Sequence, residues 1–213
     1  STPNRYRNEF GQLLEHAPFC ERDINTPDFV APNYNKEVEV KVKFDDGIQS
    51  YIDSNHPFDL VGWDGYYFPY TLNINDFMPI TGKIHQPPPV HQTFQGNGFV
   101  MCSFVPRLFD YHAKAIPAPY AHSNVDSDEI IYYSEGEFMS RKGMEKESIT
   151  LHPSGLPHGP QPGKIEESLG VKETSEIAVM IDTFKPLKIT NRINEIDDEN
   201  YTLSWLKNDI RSS

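Results

Sequence analysis

The most informative stretch of this sequence reads PAPYAHSNVDSDEIIYYSEG, from Pro117 to Gly136. It begins as a polar loop that carries His122, and seven residues later Glu129 starts an apolar run that ends at Gly136. A short apolar run bounded by turn residues predicts a buried strand. A loop histidine and a carboxylate at the entry of the adjoining strand can converge on one metal ion. The acidic cluster around Glu129 is equally typical of a solvated turn.

A second stretch reads LHPSGLPHGPQPG, from Leu151 to Gly163, and it places another histidine on a constrained loop. Pro157 restricts the backbone before His158, and Gly159 permits a sharp bend after it, which suits the aiming of a ligand. Taken alone, this stretch is more typical of an ordinary proline-rich turn. The two stretches become informative when they are considered together.

The rest of the chain also favours strands. Val38 to Phe44 reads VEVKVKF, whose alternation predicts a strand, and the turn Asp45-Asp46-Gly47 predicts a hairpin that returns through Gln49 to Asp53. Further strands are predicted at Gly98–Val105, Glu129–Ser134, Ser148–His152 and Glu176–Phe184. Helical spacing is confined to the two ends, at Tyr6–Glu15 and Asn191–Leu206. The sequence therefore predicts an all-β sandwich or barrel with short helical extensions at both ends.

Charge and composition narrow the class of protein. The 213 residues include 31 acidic and 19 basic side chains, which gives a net charge of −12. This negative charge argues against nucleic acid and anionic membranes as partners, because binding to either needs a basic protein surface. Two distant cysteines, Cys20 and Cys102, are expected as reduced thiols rather than a disulfide. The amino terminus shows no signal-peptide pattern, so we expect a cytoplasmic protein.

The two histidine stretches resemble the paired motifs of the cupin superfamily. The first has the form H-x-N-x4-E-x6-G and the second the form P-x-G-x2-H; their residues are His122, Asn124, Glu129, Gly136, Pro153, Gly155 and His158. The chain departs from the common cupin form because Asn124 replaces a second histidine, no glycine precedes His122 at the usual offset, and Pro162 replaces an asparagine. Two histidines and one carboxylate form a facial triad, which suits non-haem Fe(II).

A narrower resemblance covers roughly residues 10–187. Several segments in order are similar to the catalytic, carboxy-terminal part of homogentisate 1,2-dioxygenases, especially the bacterial branch; they are His56–Gly82, Lys83–Phe94, Phe99–His112, Pro119–Asn124 and the stretch from Leu151. This resemblance implies a cupin-like double-stranded β-helix, or jelly-roll, barrel. We expect an amino-terminal extension at residues 1–35, the catalytic domain at 36–188 and a helical tail at 189–213.

The same resemblance implies the roles of individual residues. The metal ligands are expected to be His122, Glu129 and His158, with Asp128 as a weaker rival to Glu129. Tyr120, His152 and His158 are expected to bind the substrate, His152 as the family's histidine beside the last ligand.

The family's acid/base histidine aligns with His85 in preference to His91. These two histidines flank three prolines, which favour an extended polyproline II segment of roughly 19 Å over six steps. We therefore expect only one of them to reach the substrate and the other to be structural.

The activity that the resemblance implies is ring opening of homogentisate by O2 at Fe(II), with maleylacetoacetate as the product. Homogentisate is a small aromatic acid, and one imidazole near its hydroxyl would serve as base. Family members form trimers and hexamers and carry an amino-terminal β domain, so we expect a homo-oligomer and such a domain before Ser1. Two alternatives remain: a non-catalytic metal-binding cupin module, and a dioxygenase for gentisate or another hydroxylated aromatic acid.

Overall fold

The computed structural model describes most of the chain; the described residues are 2–28, 36–44, 46–57, 69–86 and 88–206. Strands dominate the regular structure. In chain order they are β1 (Ile24–Asn25), β2 (Val38–Phe44), β3 (Gly47–Asp53), β4 (Thr71–Leu72), β5 (Gln92–Gly96), β6 (Phe99–Phe104), β7 (Arg107–Leu108), β8 (Asp128–Glu135), β9 (Ile149–His152), β10 (Glu173–Thr174) and β11 (Ile177–Thr183). One α-helix, α1, spans Lys164–Ser168, and the predicted all-β class is confirmed.

A five-stranded antiparallel sheet is the centre of the fold, with the strand order β5-β6-β11-β8-β9. The central strand β11 reads IAVMIDT, and its β-branched residues suit a strand that is paired on both sides. Buried side chains on these strands include Cys102, Tyr133 and Ala178. Four of the predicted strands correspond to β6, β8, β9 and β11, with bounds that differ by one residue.

The chain divides into two compact units. The larger contains Ser1–Glu21 and Asn73–Ser213, as far as those ranges are described, and it includes the five-stranded sheet. The smaller, Arg22–Leu72, contains the predicted hairpin of β2 and β3 and the short pair of β1 with β4.

The two predicted helical segments differ from the expectations. Residues 6–15 do not form a helix: Asn4–Tyr6 is a 3-10 turn, Arg7 pairs with Leu13, and Gly11 has a φ of 83°, which ends any helical path. The tail contains two 3-10 turns, Ile193–Glu195 and Tyr201–Trp205, in place of one amphipathic helix.

The strands of the described residues do not close into a barrel. Strand β5 was not expected either, because its polar sequence QTFQG follows a proline-rich segment. Within the described ranges, no helix has the length and apolar character needed to cross a membrane.

Candidate metal centre

Two loops are joined at the positions of His122 and His158. The backbone N–H of each donates to the carbonyl of the other at 2.8 Å, which makes an isolated antiparallel bridge. A further bond, from Gly155 N to Asn124 O at 2.8 Å, ties the two loops together again. The two histidine rings therefore lie side by side, with centroids 4.5 Å apart.

Gly159 makes this approach of the loops possible. A Cβ built on Gly159 would lie 2.6 Å from the Cα of Ala121, which no side chain tolerates. The sequence suggested that Gly159 serves a sharp bend. Its φ is not in the left-handed region, and close packing is the property that requires glycine.

The sheet presents a carboxylate to this junction. Glu129 on β8 pairs in register with His152 on β9 and with Asp182 on β11. Directly opposite residues of antiparallel strands share a face of the sheet. The three side chains therefore form one polar row, with Glu129 in its middle.

Asp128, the rival of Glu129, is engaged elsewhere. Its carboxylate accepts the backbone N–H of Ser154 and of Leu187, each at 2.8 Å. These two bonds, first the one from Leu187, hold the pKa of Asp128 below its ordinary value. Because successive strand residues point to opposite faces, Asp128 is directed away from the row that contains Glu129.

The structure brings His122, Glu129 and His158 together. Their candidate ligand atoms lie within 4.8 Å of one another, close enough for one ion to contact all three. Nε2 of His158 lies 3.4 Å from Glu129 Oε1, and Nε2 of His122 lies 4.0 Å from Oε2. Glu129 and His158 are 4% and 5% exposed, and His122 is partly exposed.

Backbone carbonyls orient both imidazoles. Nδ1 of His122 lies 3.1 Å from Tyr120 O, and Nδ1 of His158 lies 2.9 Å from Leu156 O. A carbonyl only accepts, so each Nδ1 carries a proton, and in the neutral form of each ring Nε2 keeps a lone pair. Nε2 of His158 is buried and has no hydrogen-bond partner among the described residues. Two nitrogen lone pairs and a carboxylate that converge in this way fit a metal cation.

His152 and Tyr201 support the carboxylate. His152 is 2% exposed; its Nδ1 donates to Glu129 Oε1 at 2.8 Å, and its Nε2 lies 3.0 Å from the Tyr201 hydroxyl. Burial lowers the pKa of His152, so the ring is neutral and accepts the Tyr201 proton at Nε2. This chain of two bonds fixes the Glu129 carboxylate, as partners of metal ligands commonly do.

The electrostatics of the centre favour a positive charge. Burial would raise the pKa of Glu129, but the hydrogen bond from His152 and the nearby His158 imidazole lower it to about 2. The same carboxylate raises the pKa of His158. Burial and the charge of Glu129 raise the pKa of Asp182 to about 6. Two neighbouring carboxylates in one row therefore favour a bound cation, as the ligands of a metal site do.

A cavity of about 1010 Å³ opens onto this centre. His122, Glu129 and His158 line it, and so do Tyr120 and His85. Its wall also contains apolar side chains; among them are Ile80, Ile84, Phe104, Leu108, Phe109 and Ile116. A largely apolar pocket with a few convergent polar groups is the usual form of a small-molecule site.

His85 and His91 both line the cavity, and the expectation that only one of them reaches the substrate stays a prediction. Pro88–His91 forms a 3-10 turn rather than an extended polyproline segment, so the proposed separation of roughly 19 Å does not apply. Burial and the charge of Arg107 lower the pKa of His91 to about 3, and its ring packs 5.1 Å from that of Phe104. His91 is therefore a neutral, packed group, whereas His85 is 70% exposed along its side chain.

Several residues of this site were missed by sequence reasoning. Tyr201 lies 49 residues beyond His152, and no local pattern reveals that contact. Arg141 and Trp205 both donate to Gly159 O, at 2.7 and 3.2 Å, and so support the loop after His158. Asp182 did leave a signal, because it directly follows the apolar run Ile177–Ile181 inside a predicted strand.

Comparisons with known proteins find relatives over most of the chain, although no family model matches. A protein of Saccharolobus solfataricus, provisionally named a dioxygenase, is 47% identical over 95% of this chain and 53% of that protein. The homogentisate 1,2-dioxygenase of Nitrobacter hamburgensis is 27% identical over 92% of this chain and 47% of that enzyme. The human homogentisate 1,2-dioxygenase is 28% identical over 70% of this chain and 37% of that enzyme.

The chain spans about half the length of the curated relatives it matches. These relatives agree with the resemblance that the motifs indicate, since all three are named as dioxygenases and two as homogentisate 1,2-dioxygenases. The chain belongs to the homogentisate 1,2-dioxygenase family.

Proposed function

We propose that this chain is the catalytic part of an Fe(II)-dependent dioxygenase that opens the ring of homogentisate to give maleylacetoacetate. The observation that carries the proposal is the convergence of His122 Nε2, the Glu129 carboxylate and His158 Nε2 at the end of an apolar cavity. Two histidines and one carboxylate are the ligand set of many non-haem Fe(II) oxygenases, and they leave coordination positions open.

Fe(II) bound by these residues would supply the redox chemistry that lets O2 react with an aromatic ring, together with a positive charge for an acidic substrate. The chain's own residues do the rest. The apolar wall holds the ring and excludes water, and Tyr120 lies beside the His122 ring at a centroid distance of 5.6 Å. His152, with Tyr201, keeps the Glu129 carboxylate oriented.

His85 is the proposed base for the substrate hydroxyl. It lines the same cavity, its side chain is accessible, and a positioned imidazole is the most common proton acceptor in general base catalysis. The half-buried His91, with a pKa of about 3, is a poor proton acceptor near neutral pH. This contrast supports the choice of His85.

The experiment is oxygen uptake by the Fe(II)-loaded chain with homogentisate, with gentisate and without substrate. We expect uptake with homogentisate and its loss in His85→Gln, by about 10²- to 10⁴-fold in kcat. Uptake with gentisate alone would mean that the substrate is gentisate or another hydroxylated aromatic acid and not homogentisate. Uptake with neither substrate contradicts catalysis by this chain and favours a metal-binding module.

Further parts of the proposal follow the family resemblance. The antiparallel sheet is compatible with one wall of a cupin-like jelly-roll barrel, with residues 36–188 as the catalytic domain. A homo-oligomer, an amino-terminal β domain and a cytoplasmic location stay predictions. The solution mass of the protein tests the first of these directly.

A further inference from the structure

His85 has a carboxylate partner in the cavity wall. Its Nδ1 lies 3.3 Å from Oδ2 of Asp110, and both residues line the cavity. Neither the motifs nor the family resemblance pointed to Asp110. His91, by contrast, has a buried Nδ1 without a hydrogen-bond partner among the described residues.

Asp110 is itself held in place. Its Oδ2 also accepts the backbone N–H of Gln86 at 3.1 Å, so one oxygen contacts two successive residues. Two hydrogen bonds also join the segment before His85 to the segment around Asp110. Thr81 Oγ1 donates to Leu108 O at 2.8 Å, and Tyr111 N donates to Gly82 O at 3.2 Å. The carboxylate is therefore fixed relative to the loop that carries His85. Its side chain is 21% exposed, against 70% for His85.

We propose that Asp110 is a positioning residue that holds His85 in the tautomer with the proton on Nδ1, leaving Nε2 free to act as base. A carboxylate accepts from a ring N–H, and the hydrogen bond of one imidazole nitrogen decides which nitrogen carries the proton. The substrate hydroxyl then gives its proton to the Nε2 lone pair of His85. The resulting imidazolium keeps its Nδ1–H bond to the anionic Asp110, which stabilises the added charge.

This inference rests on the proposed function only for its kinetic part, because the tautomer of His85 is measurable in the protein without substrate. The ring ¹⁵N shifts of the histidine-labelled full chain report the tautomer at about pH 8, where an ordinary imidazole is neutral. His85→Gln identifies the signals. We expect Nδ1–H in the parent, a shift toward Nε2–H in Asp110→Ala, and a smaller change in Asp110→Asn, whose amide oxygen can still accept.

Asp53→Ala is the matched control, because the Asp53 carboxylate also accepts a backbone N–H, that of Asn55 at 3.2 Å. It should leave the His85 signals unchanged. A parent His85 in the Nε2–H form, or an Asp110→Ala variant that retains Nδ1–H, would overturn the proposal even if the protein consumes oxygen with homogentisate.

Kinetics give the second readout. Asp110→Ala should lower kcat about tenfold or more, because it removes part of the rate enhancement that His85 supplies. KM and iron content should stay nearly unchanged. In the His85→Gln background the same change should have no further effect, because Asp110 acts through His85. An equal loss in both backgrounds would mean that Asp110 only supports the cavity wall, and the proposal would be wrong. A parent inactive with homogentisate contradicts the proposed function, while the tautomer comparison still decides the role of Asp110.

Discussion

Single residues around the Glu129 carboxylate account for most of what is specific to this centre. Glu129 lies between His152 and Asp182 in one row across three strands, and a buried, directional hydrogen bond from His152 holds its orientation. The hydroxyl of Tyr201 completes that hydrogen-bond chain. The contribution of each partner is therefore measurable by removing one polar atom at a time.

Tyr201→Phe removes only the hydroxyl that bonds His152 Nε2. We expect metal affinity to fall by about tenfold, because partners of metal ligands are commonly worth 10- to 100-fold in affinity. Competition with a chelator measures the change. Tyr111→Phe is the control, since that ring is 68% exposed. Equal affinities of the two variants would show that the Tyr201 bond does not support the centre.

The raised pKa of Asp182 predicts that the stability of the metal-free protein depends on pH. Burial and Glu129 raise its pKa from 3.8 to about 6. The folded state thus holds the Asp182 proton more tightly than the unfolded state, so the contribution of Asp182 to the unfolding free energy is fully present below pH 3.8 and is lost as pH rises through 6.

Asp182→Asn should remove the loss of unfolding free energy that Asp182 causes as pH rises. Urea unfolding at acid and neutral pH measures it, with Asp198→Asn, an exposed acid, as the control. The variant should gain stability relative to the parent as pH rises. A constant difference between variant and parent across this range would contradict the raised pKa.

At the scale of elements, the loops and strands that meet at the site differ in how far the sequence revealed them. Strands with alternating or apolar patterns were predicted nearly to the residue, since burial in a sheet imposes that pattern. The helical spacing of residues 6–15 was misleading because Gly11 adopts a left-handed φ. The 3-10 turn Tyr201–Trp205 was missed as part of the site, because its role depends on contacts far away in sequence.

The junction of the two histidine loops gives an element-scale prediction. Gly159→Ala would place a methyl group 2.6 Å from Ala121 Cα and force the loops apart. Overpacking of this kind costs about 1–3 kcal/mol. If the two histidine loops move apart to relieve this overpacking, metal affinity should fall by about tenfold or more.

Chelator competition measures the affinity, and circular dichroism checks that the variant is folded. Gly47→Ala serves as the matched control, because a Cβ there meets nothing within 4 Å and its φ is not left-handed. Unchanged affinity in Gly159→Ala would show that the junction does not set the ligand geometry.

At the scale of the whole molecule, the ligand set could be proposed from sequence, whereas its supporting residues could not. His122, Glu129 and His158 lie in motifs with fixed spacing, and the structure brings them together. Asp110, Asp182 and Tyr201 come from segments without such spacing, and only the folded chain reveals their contacts. The domain boundaries predicted at 35/36 and 188/189 stay predictions.

The acidic balance of the molecule also takes on a local meaning. A chain with a net charge of −12 repels an acidic substrate in general, and a bound cation reverses this within the cavity. The electrostatics of Glu129, His158 and Asp182 all favour a positive charge at that point. A metal would therefore serve binding as well as chemistry.

The central claim is that His122, Glu129 and His158 together hold one metal ion. The most direct measurement is the iron content of the protein loaded with Fe(II) and freed of excess metal, for the parent and for His122→Ala, Glu129→Ala and His158→Ala. We predict about one iron per chain in the parent, almost none in these three variants, and the parent's content in the exposed His16→Ala control. Full iron occupancy in any of the three variants would contradict the account.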